Sequence, residues 1–403
     1  MREYLFMALV AAVVTYLLVP LVRRFAIRIG AMPEVRDRDV HTTPTPRLGG
    51  LAMYGGLVAG LLVTGQLEHT GAKLAESQTV LALVVAGGII TLTGFLDDWW
   101  GMDPFIKLGG QIAAAGTLVY FGVRLNFVPL PKDWGGSLGL DYTLSATLTI
   151  LVVVVVINAV NFVDGLDGLA AGIVCIAAVA TWAYSVQLDQ AIEDNRINVT
   201  AAIMAILIGV CLGFLPHNFH PAKIFMGDTG AMLLGLVLAS SLITVTSAAD
   251  PELIKGVNKF GALVPLLVPL AVLVLPLIDL ITAVVRRTSR GLSPFAPDRG
   301  HLHHLLMDIG HSHRRTVLIM YAWTFLFAFG LMGMSTVGVP VLLFPVVILL
   351  ALGVLVLMAA PRWRGRGAHH APRRRRRVSD DDDDGPPTGP MPPITAEASS
   401  FSR

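Results

Sequence analysis

Charge is what this sequence has least of. Of its 403 residues only 14% are charged against 54% hydrophobic, and the mean hydropathy is +0.68. No single soluble core can bury that much apolar surface, which excludes an ordinary water-soluble enzyme. Cysteine is nearly absent: Cys175 and Cys211 are the two, each inside an apolar stretch. They read as small packing residues and exclude a disulfide framework or a thiolate metal site. Internal repeats are lacking. So is a small-residue cleavage site after the first apolar stretch, which runs instead into Arg23, Arg24 and Arg28 and therefore reads as a retained helix. The spacing of two histidines around a glutamate that marks zinc metalloproteases is missing as well.

What the chain does have is apolar stretches long enough to cross about 30 Å of hydrocarbon, about eleven of them. They lie near residues 4–22, 48–66, 79–96, 105–123, 143–162, 168–187, 199–216, 229–247, 261–285, 316–336 and 338–360. The expected fold is an all-α polytopic membrane protein. Basic residues fix a direction for it. With the N-terminus outside, the inner segments hold Arg23, Arg24, Arg28, Arg36, Arg38, Arg47, Lys107, Lys223, Arg286, Arg287, Arg290, Arg299, Arg314 and Arg315. The outer loops hold only Arg2, Lys73, Arg124, Lys132, Arg196, Lys255 and Lys259. The positive-inside rule thus predicts N-terminus out and C-terminus in. The polar segments "GFLDDWWGMD", "NFVDGLDG", "HPAKIFMGDTG" and "DRGHLHHLLMDIGHSHRR" then share the cytoplasmic face, while "PLPKDWGGSLGLDY" outside suits a hairpin or irregular turn.

Two domains are expected: residues 1–360 as the transmembrane catalytic part and 361–403 as a cytoplasmic tail. The tail, "PRRRRRVSDDDDDGPPTGPMPP", joins basic, acidic and Pro-rich blocks that cannot form a core, so it is expected to be disordered. At most it has electrostatic affinity for anionic headgroups.

Carboxylates at the ends of apolar stretches need an explanation. Asp97 and Asp98 close the third stretch, at a helix C-terminus, where the helix dipole and their mutual repulsion both disfavour anions. A bound cation, Mg²⁺ or a lysine, would resolve the conflict; two solvated interfacial aspartates beside Trp99 and Trp100 are the plainer reading. Asn158, Asn161, Asp164 and Asp167 recur every third residue, which places successive polar groups near one helix face. Such groups bind a hard metal ion, a ribose or a base edge, and burying them without a partner is costly. Asp228 opens the eighth stretch beside Gly227 and Gly230, where free N–H groups favour phosphate, although "GDTG" alone is an ordinary N-cap. The segment with His301, His303, His304, His311 and His313 suggests zinc at first sight. With no cysteine nearby, Arg299 and its neighbouring histidines suit phosphate oxygens better. Together these groups predict phosphoryl transfer to a lipid acceptor.

The motifs "TPRLGG", "DDWWGMDPFIKLGGQ", "NAVNFVDGLDGLAAG", "FMGDTGAMLLG" and "DRGHLHH", in that order over roughly residues 35 to 310, resemble those of the polyprenyl-phosphate N-acetylhexosamine-1-phosphate transferases, the superfamily of WecA and MraY. The resemblance implies transfer of a sugar 1-phosphate from a UDP-linked N-acetylhexosamine to polyprenyl phosphate, with release of UMP. Mg²⁺ is the implied cofactor, with Mn²⁺ as a substitute. By motif, Asp97, Asp98 and Asp228 are the catalytic set, with Asp97 taking the proton of the lipid phosphate. Asp228 and Asn158 would hold the metal, Lys107 would contact phosphate, and Asn161, Asp164 and Asp167 would shape the nucleotide pocket. Arg299, His301, His303 and His304 would steady the pyrophosphate. The spacing in "GHLHHLL" is similar to the WecA branch, which implies UDP-N-acetylglucosamine as donor rather than a UDP-muramoyl pentapeptide. The arginine-rich composition leans towards a decaprenyl carrier.

The implied setting is the bacterial plasma membrane, with the bilayer as partner, no nucleic acid, and a homodimer as one assembly open to it. The rival class is an ion-coupled transporter, which would need carboxylates facing each other near the midplane. Here Asp97, Asp164 and Asp228 fall at the ends of stretches.

Overall fold

The computed structural model describes residues 1–32, 44–67, 70–71, 78–129, 137–192, 195–248, 274–291, 302–335 and 343–359. The expected tail, residues 361–403, lies outside the described residues. The first eight helices are α1 (Arg2–Arg28), α2 (Gly49–Thr64), α3 (Thr79–Trp100), α4 (Pro104–Tyr120), α5 (Tyr142–Val163), α6 (Leu169–Ile192), α7 (Asn195–Asn218) and α8 (Gly227–Ala248). Then come α9 (Val274–Ser289), the short α10 (Leu302–Asp308), α11 (His313–Ser335) and α12 (Leu343–Ala359). A helix falls within each of the eleven expected stretches, although the ninth is described only from Val274 onward.

Seven of these helices are long and apolar enough to cross a membrane: α1, α3, α5, α6, α7, α8 and α11. Two shorter apolar helices, α2 and most of α12, accompany them. The chain is therefore a polytopic helical membrane protein. Among the described residues the departure from helix is a pair of three-residue strands, β1 (Phe127–Pro129) and β2 (Ser137–Gly139), antiparallel with Phe127 opposite Gly139. They form the hairpin that glycine and proline suggested in the α4–α5 connection.

Local sequence starts several helices. Asp103 caps α4 by accepting the Phe105 N–H at 2.8 Å, with Pro104 in the first turn, where its missing N–H costs nothing. Asp141 caps α5 through the Thr143 N–H at 3.2 Å. Packing then sets the order of the bundle. Helix α1 lies against α2 and α7, α6 lies against α7 and α11, and α8 sits in the middle against α2, α3, α5 and α7. Every residue of α8 from Thr229 to Ala248 is buried.

Close approach of α3 to α8 depends on Gly94. A Cβ added there would lie 2.4 Å from the Thr229 Cα, inside the backbone of α8. Gly94→Ala is expected to part the two helices at a cost of about 1–3 kcal/mol. The measurement is the thermal midpoint of the purified protein in detergent; an unchanged midpoint would show that the crossing has slack.

Candidate active site at one end of the bundle

The crossing at Gly94 carries the end of α3 onto the start of α8, and the polar groups expected from the sequence gather there. Asp97 and Asp98 end α3, Lys107 lies in the first turns of α4, Asn158 and Asn161 end α5, Asp164 follows it, and Asp228 begins α8. The Lys107 ammonium is the link. Its Nζ donates to Asp97 Oδ2 at 2.8 Å and to Asp228 Oδ2. Asn161 Nδ2 donates to the other oxygen of Asp228, Oδ1. Asp97 Oδ1 accepts the Met102 N–H at 2.8 Å, so both Asp97 oxygens are engaged.

Asp98 has a different set of partners. Its Oδ1 accepts the Asp228 N–H at 3.0 Å, and its Oδ2 accepts the Thr229 N–H at 2.9 Å and the Thr229 hydroxyl at 2.6 Å. A carboxylate from α3 thereby caps the N-terminus of α8. Gly227, at φ +69°, leaves space for it, because a Cβ there would lie 2.3 Å from Asp98 Oδ2. The unfavourable position of two aspartates at the α3 C-terminus is thus offset twice: by a lysine for Asp97, and by the positive end of α8 for Asp98.

Asn158 and Asn161 separate in the structure. Asn161 reaches Asp228, whereas Asn158 pairs its amide with Gln111 of α4: Asn158 Nδ2 to Gln111 Oε1 is 2.7 Å and Gln111 Nε2 to Asn158 Oδ1 is 3.4 Å. Gln111 is buried and lies one helical turn after Lys107, on the same face of α4. The sequence reading passed over it; a lone amide inside an apolar run was the available signal. Asp164 stands just beyond α5. Burial pushes its carboxyl well above the usual carboxylate range, the Asp228 and Asp98 charges add to this, and Arg47 opposes it.

Arg47 comes from "TPRLGG", whose backbone runs beside "IFMGD". The Phe225 N–H donates to Pro46 O at 2.8 Å, Gly49 N–H to Phe225 O at 3.0 Å and Gly50 N–H to Met226 O at 3.0 Å. Asp167, buried in the α5–α6 turn, faces the loop before α8: its Oδ2 lies 2.8 Å from His220 Nδ1 and accepts the Ala222 N–H at 3.0 Å. Asn218 fastens the same two segments, accepting the Gly168 N–H and donating to Ile224 O, both at 3.0 Å. The His220 ring stacks on His313 at 4.3 Å with 21° between planes. Asp167, His220 and His313 bring possible ligand atoms within 4.8 Å of one another. Stacked rings, however, direct their lone pairs alongside each other, so both cannot reach one ion without turning.

Arg299 and His301 lie outside the described residues, as do the side chains of His303 and His304, whose backbone belongs to α10. Trp99 and Trp100 stack at 4.4 Å, and Trp100, Phe105 and Ile106 are exposed.

A lysine is thus held between two carboxylates at one end of an apolar, membrane-spanning bundle. The family model described as Glycosyl transferase family 4 matches residues 80–246, a span that holds Asp97, Asp98, Lys107, Asn158, Asn161, Asp164, Asp167 and Asp228. The chain belongs to this family, and within it to the WecA-like branch of the polyprenyl-phosphate N-acetylhexosamine-1-phosphate transferases. It is 46% identical to the decaprenyl-phosphate N-acetylglucosaminephosphotransferase of Mycobacterium tuberculosis, over 82% of each chain. It is 44% identical to the protein of the same name from Mycolicibacterium smegmatis, again over 82% of each. Likeness to the phospho-N-acetylmuramoyl-pentapeptide-transferase of Desulforudis audaxviator is lower, 31% over 82% of this chain and 96% of that one.

Proposed function

We propose that the protein transfers N-acetylglucosamine 1-phosphate from UDP-N-acetylglucosamine to decaprenyl phosphate and releases UMP. The observation that carries this reading is the Lys107 ammonium bound to both Asp97 and Asp228, in a chain 46% identical to a decaprenyl-phosphate enzyme. The lipid phosphate oxygen forms a bond to the sugar-bearing phosphorus, and the bond from that phosphorus to UMP breaks. The lipid then carries N-acetylglucosamine through a diphosphate. Lys107 meets phosphate charge, and the exposed Trp100, Phe105 and Ile106 let a prenyl chain approach it through lipid.

The donor set fits Mg²⁺, with Mn²⁺ as a substitute. Carboxylate and amide oxygens of the Asp228, Asn158 and Asp164 type are the hard ligands such an ion selects, and the carboxylates here exceed the cations beside them. Asp228 and Asn158 would hold the ion, Asn158 after turning its carbonyl from Gln111, while Asn161 presents its amide N–H to Asp228. When bound, the ion supplies charge neutralisation to the donor phosphates. Asp164 and Asp167 shape the nucleotide pocket, and Arg299, His301, His303 and His304 steady the pyrophosphate. The distribution of lysine and arginine supports eleven spans with the N-terminus outside and the site on the cytoplasmic face of the plasma membrane. Residues 1–360 are the catalytic part in this reading.

Asp97 receives the proton of the lipid phosphate, once a phosphate draws Lys107 from it. Because the second phosphate pKa is about 6, Asp97→Asn is expected to lose most activity at about pH 5.5, where much of the lipid phosphate is protonated, and to regain most of it at about pH 9. Activity absent at both pH values would leave Asp97 only the role of holding Lys107. The function itself is tested with purified protein, decaprenyl phosphate, Mg²⁺ and equal amounts of labelled UDP-N-acetylglucosamine and UDP-N-acetylmuramoyl pentapeptide. Lipid label from the first donor is expected; preferential label from the second would overturn the donor and keep the reaction class.

A further inference from the structure

Asp279 is a carboxylate in the apolar helix α9, 2% exposed, and no part of the site described above contains it. Its Oδ1 accepts the N–H of Leu302, the first residue of α10, at 2.9 Å. Asp279, Ala283 and Arg287 follow one another at intervals of a helical turn and are all buried, so they form the inward face of α9. That face lies on α5, with the Arg287 guanidinium 5.2 Å from the centre of the Phe162 ring, next in sequence to Asn161. At 1.5 Å per residue Arg287 is about 12 Å further along the helix axis than Asp279. Helix α10 therefore begins beside the middle of α9 rather than at its end. Its Leu306 is buried with Val163, Leu166 and Leu169 of the α5–α6 turn, the turn that bears Asp164 and Asp167.

We infer that Asp279 is a positioning residue of the donor site: its buried carboxylate holds the N-terminus of α10, the helix whose backbone carries His303 and His304, against the α5–α6 turn. An acid within the span of an apolar helix is costly unless something needs it. Here it satisfies an N–H that a helix start leaves without an intrahelical partner, in surroundings where water cannot substitute. The contact needs an acceptor oxygen but no proton transfer and no net charge. Asn is therefore an adequate replacement and Ala is not.

This inference rests on the proposed donor chemistry, and the experiment separates the two. Wild type, Asp279→Asn and Asp279→Ala are purified in detergent, and Michaelis constants are measured for UDP-N-acetylglucosamine and for decaprenyl phosphate, together with thermal midpoints. Loss of a buried hydrogen bond to a carboxylate is expected to raise the donor KM of Asp279→Ala about tenfold. The acceptor KM should stay within about twofold of wild type, and Asp279→Asn should restore the donor KM. Asp279→Asn as impaired as Asp279→Ala would overturn the inference in favour of a role for the charge. An unchanged donor KM in Asp279→Ala, or both Michaelis constants rising together with a fallen midpoint, would overturn it as well. Wild-type protein that transfers nothing from UDP-N-acetylglucosamine would refute the donor reading itself.

Discussion

Asp228→Asn is expected to slow lipid labelling about a hundred- to a thousandfold while the protein keeps its thermal midpoint. The substitution retains size and one acceptor oxygen but removes the charge that faces Lys107 on one oxygen and Asn161 on the other. A neutral amide cannot balance an ammonium, nor would it offset the charge of a divalent ion held there. Stability should survive, because the cap on α8 comes from Asp98 and its partners are backbone N–H groups and Thr229. The assay is transfer of label to lipid at saturating donor, with the midpoint measured on the same preparation. A variant that keeps more than about a tenth of wild-type turnover would remove Asp228 from the chemistry.

Asp98→Ala should fail in the opposite manner, with both turnover and midpoint falling. Three donors, two N–H groups and one hydroxyl, would lose their acceptor inside the bundle, at about 1–3 kcal/mol for each group left unsatisfied. Turnover falls because the freed first turn of α8 carries Asp228. Adjacent aspartates thus have separable roles, one touching Lys107 and one holding a helix. Lost turnover with an unchanged midpoint would return Asp98 to the reacting groups, where its motif first placed it. The comparison with Asp228→Asn on one set of midpoints makes the distinction direct.

Polarity inside apolar runs made much of the site legible. Asp97, Asp98, Lys107, Asn161 and Asp228 stand out because each is expensive where it lies, and the structure brings them to one end of the bundle. Their division of labour was not legible. The contact between Asp98 and Thr229 spans 131 residues, and nothing in "FLDDWW" tells which aspartate turns towards α8. A period of three grouped Asn158 with Asn161, but a helical turn of 3.6 residues drifts, so one amide faces Gln111 and the other Asp228. Asp167 was expected beside the nucleotide, and its hydrogen bonds in the structure run to His220 and Ala222 of the loop before α8. Asp279 met the same criterion of cost as the others. It escaped notice because no glycine, amide or second acid stands beside it in "LPLIDLITAV".

The buried helix α8 has a consequence for how the protein is made. It has no lipid-facing side, and three of its hydroxyls turn back on its own carbonyls: Ser240 to Val237, Thr244 to Ser240 and Thr246 to Leu242. During synthesis α2, α3, α5 and α7 emerge first, and α8 has to find its place among them rather than in bare lipid. A nascent chain halted before Gly227 would own the aspartate pair and the lysine but not Asp228. Such a chain could settle in the bilayer and still be unable to consume its lipid substrate, so chain order itself delays activity until the middle of the bundle is filled.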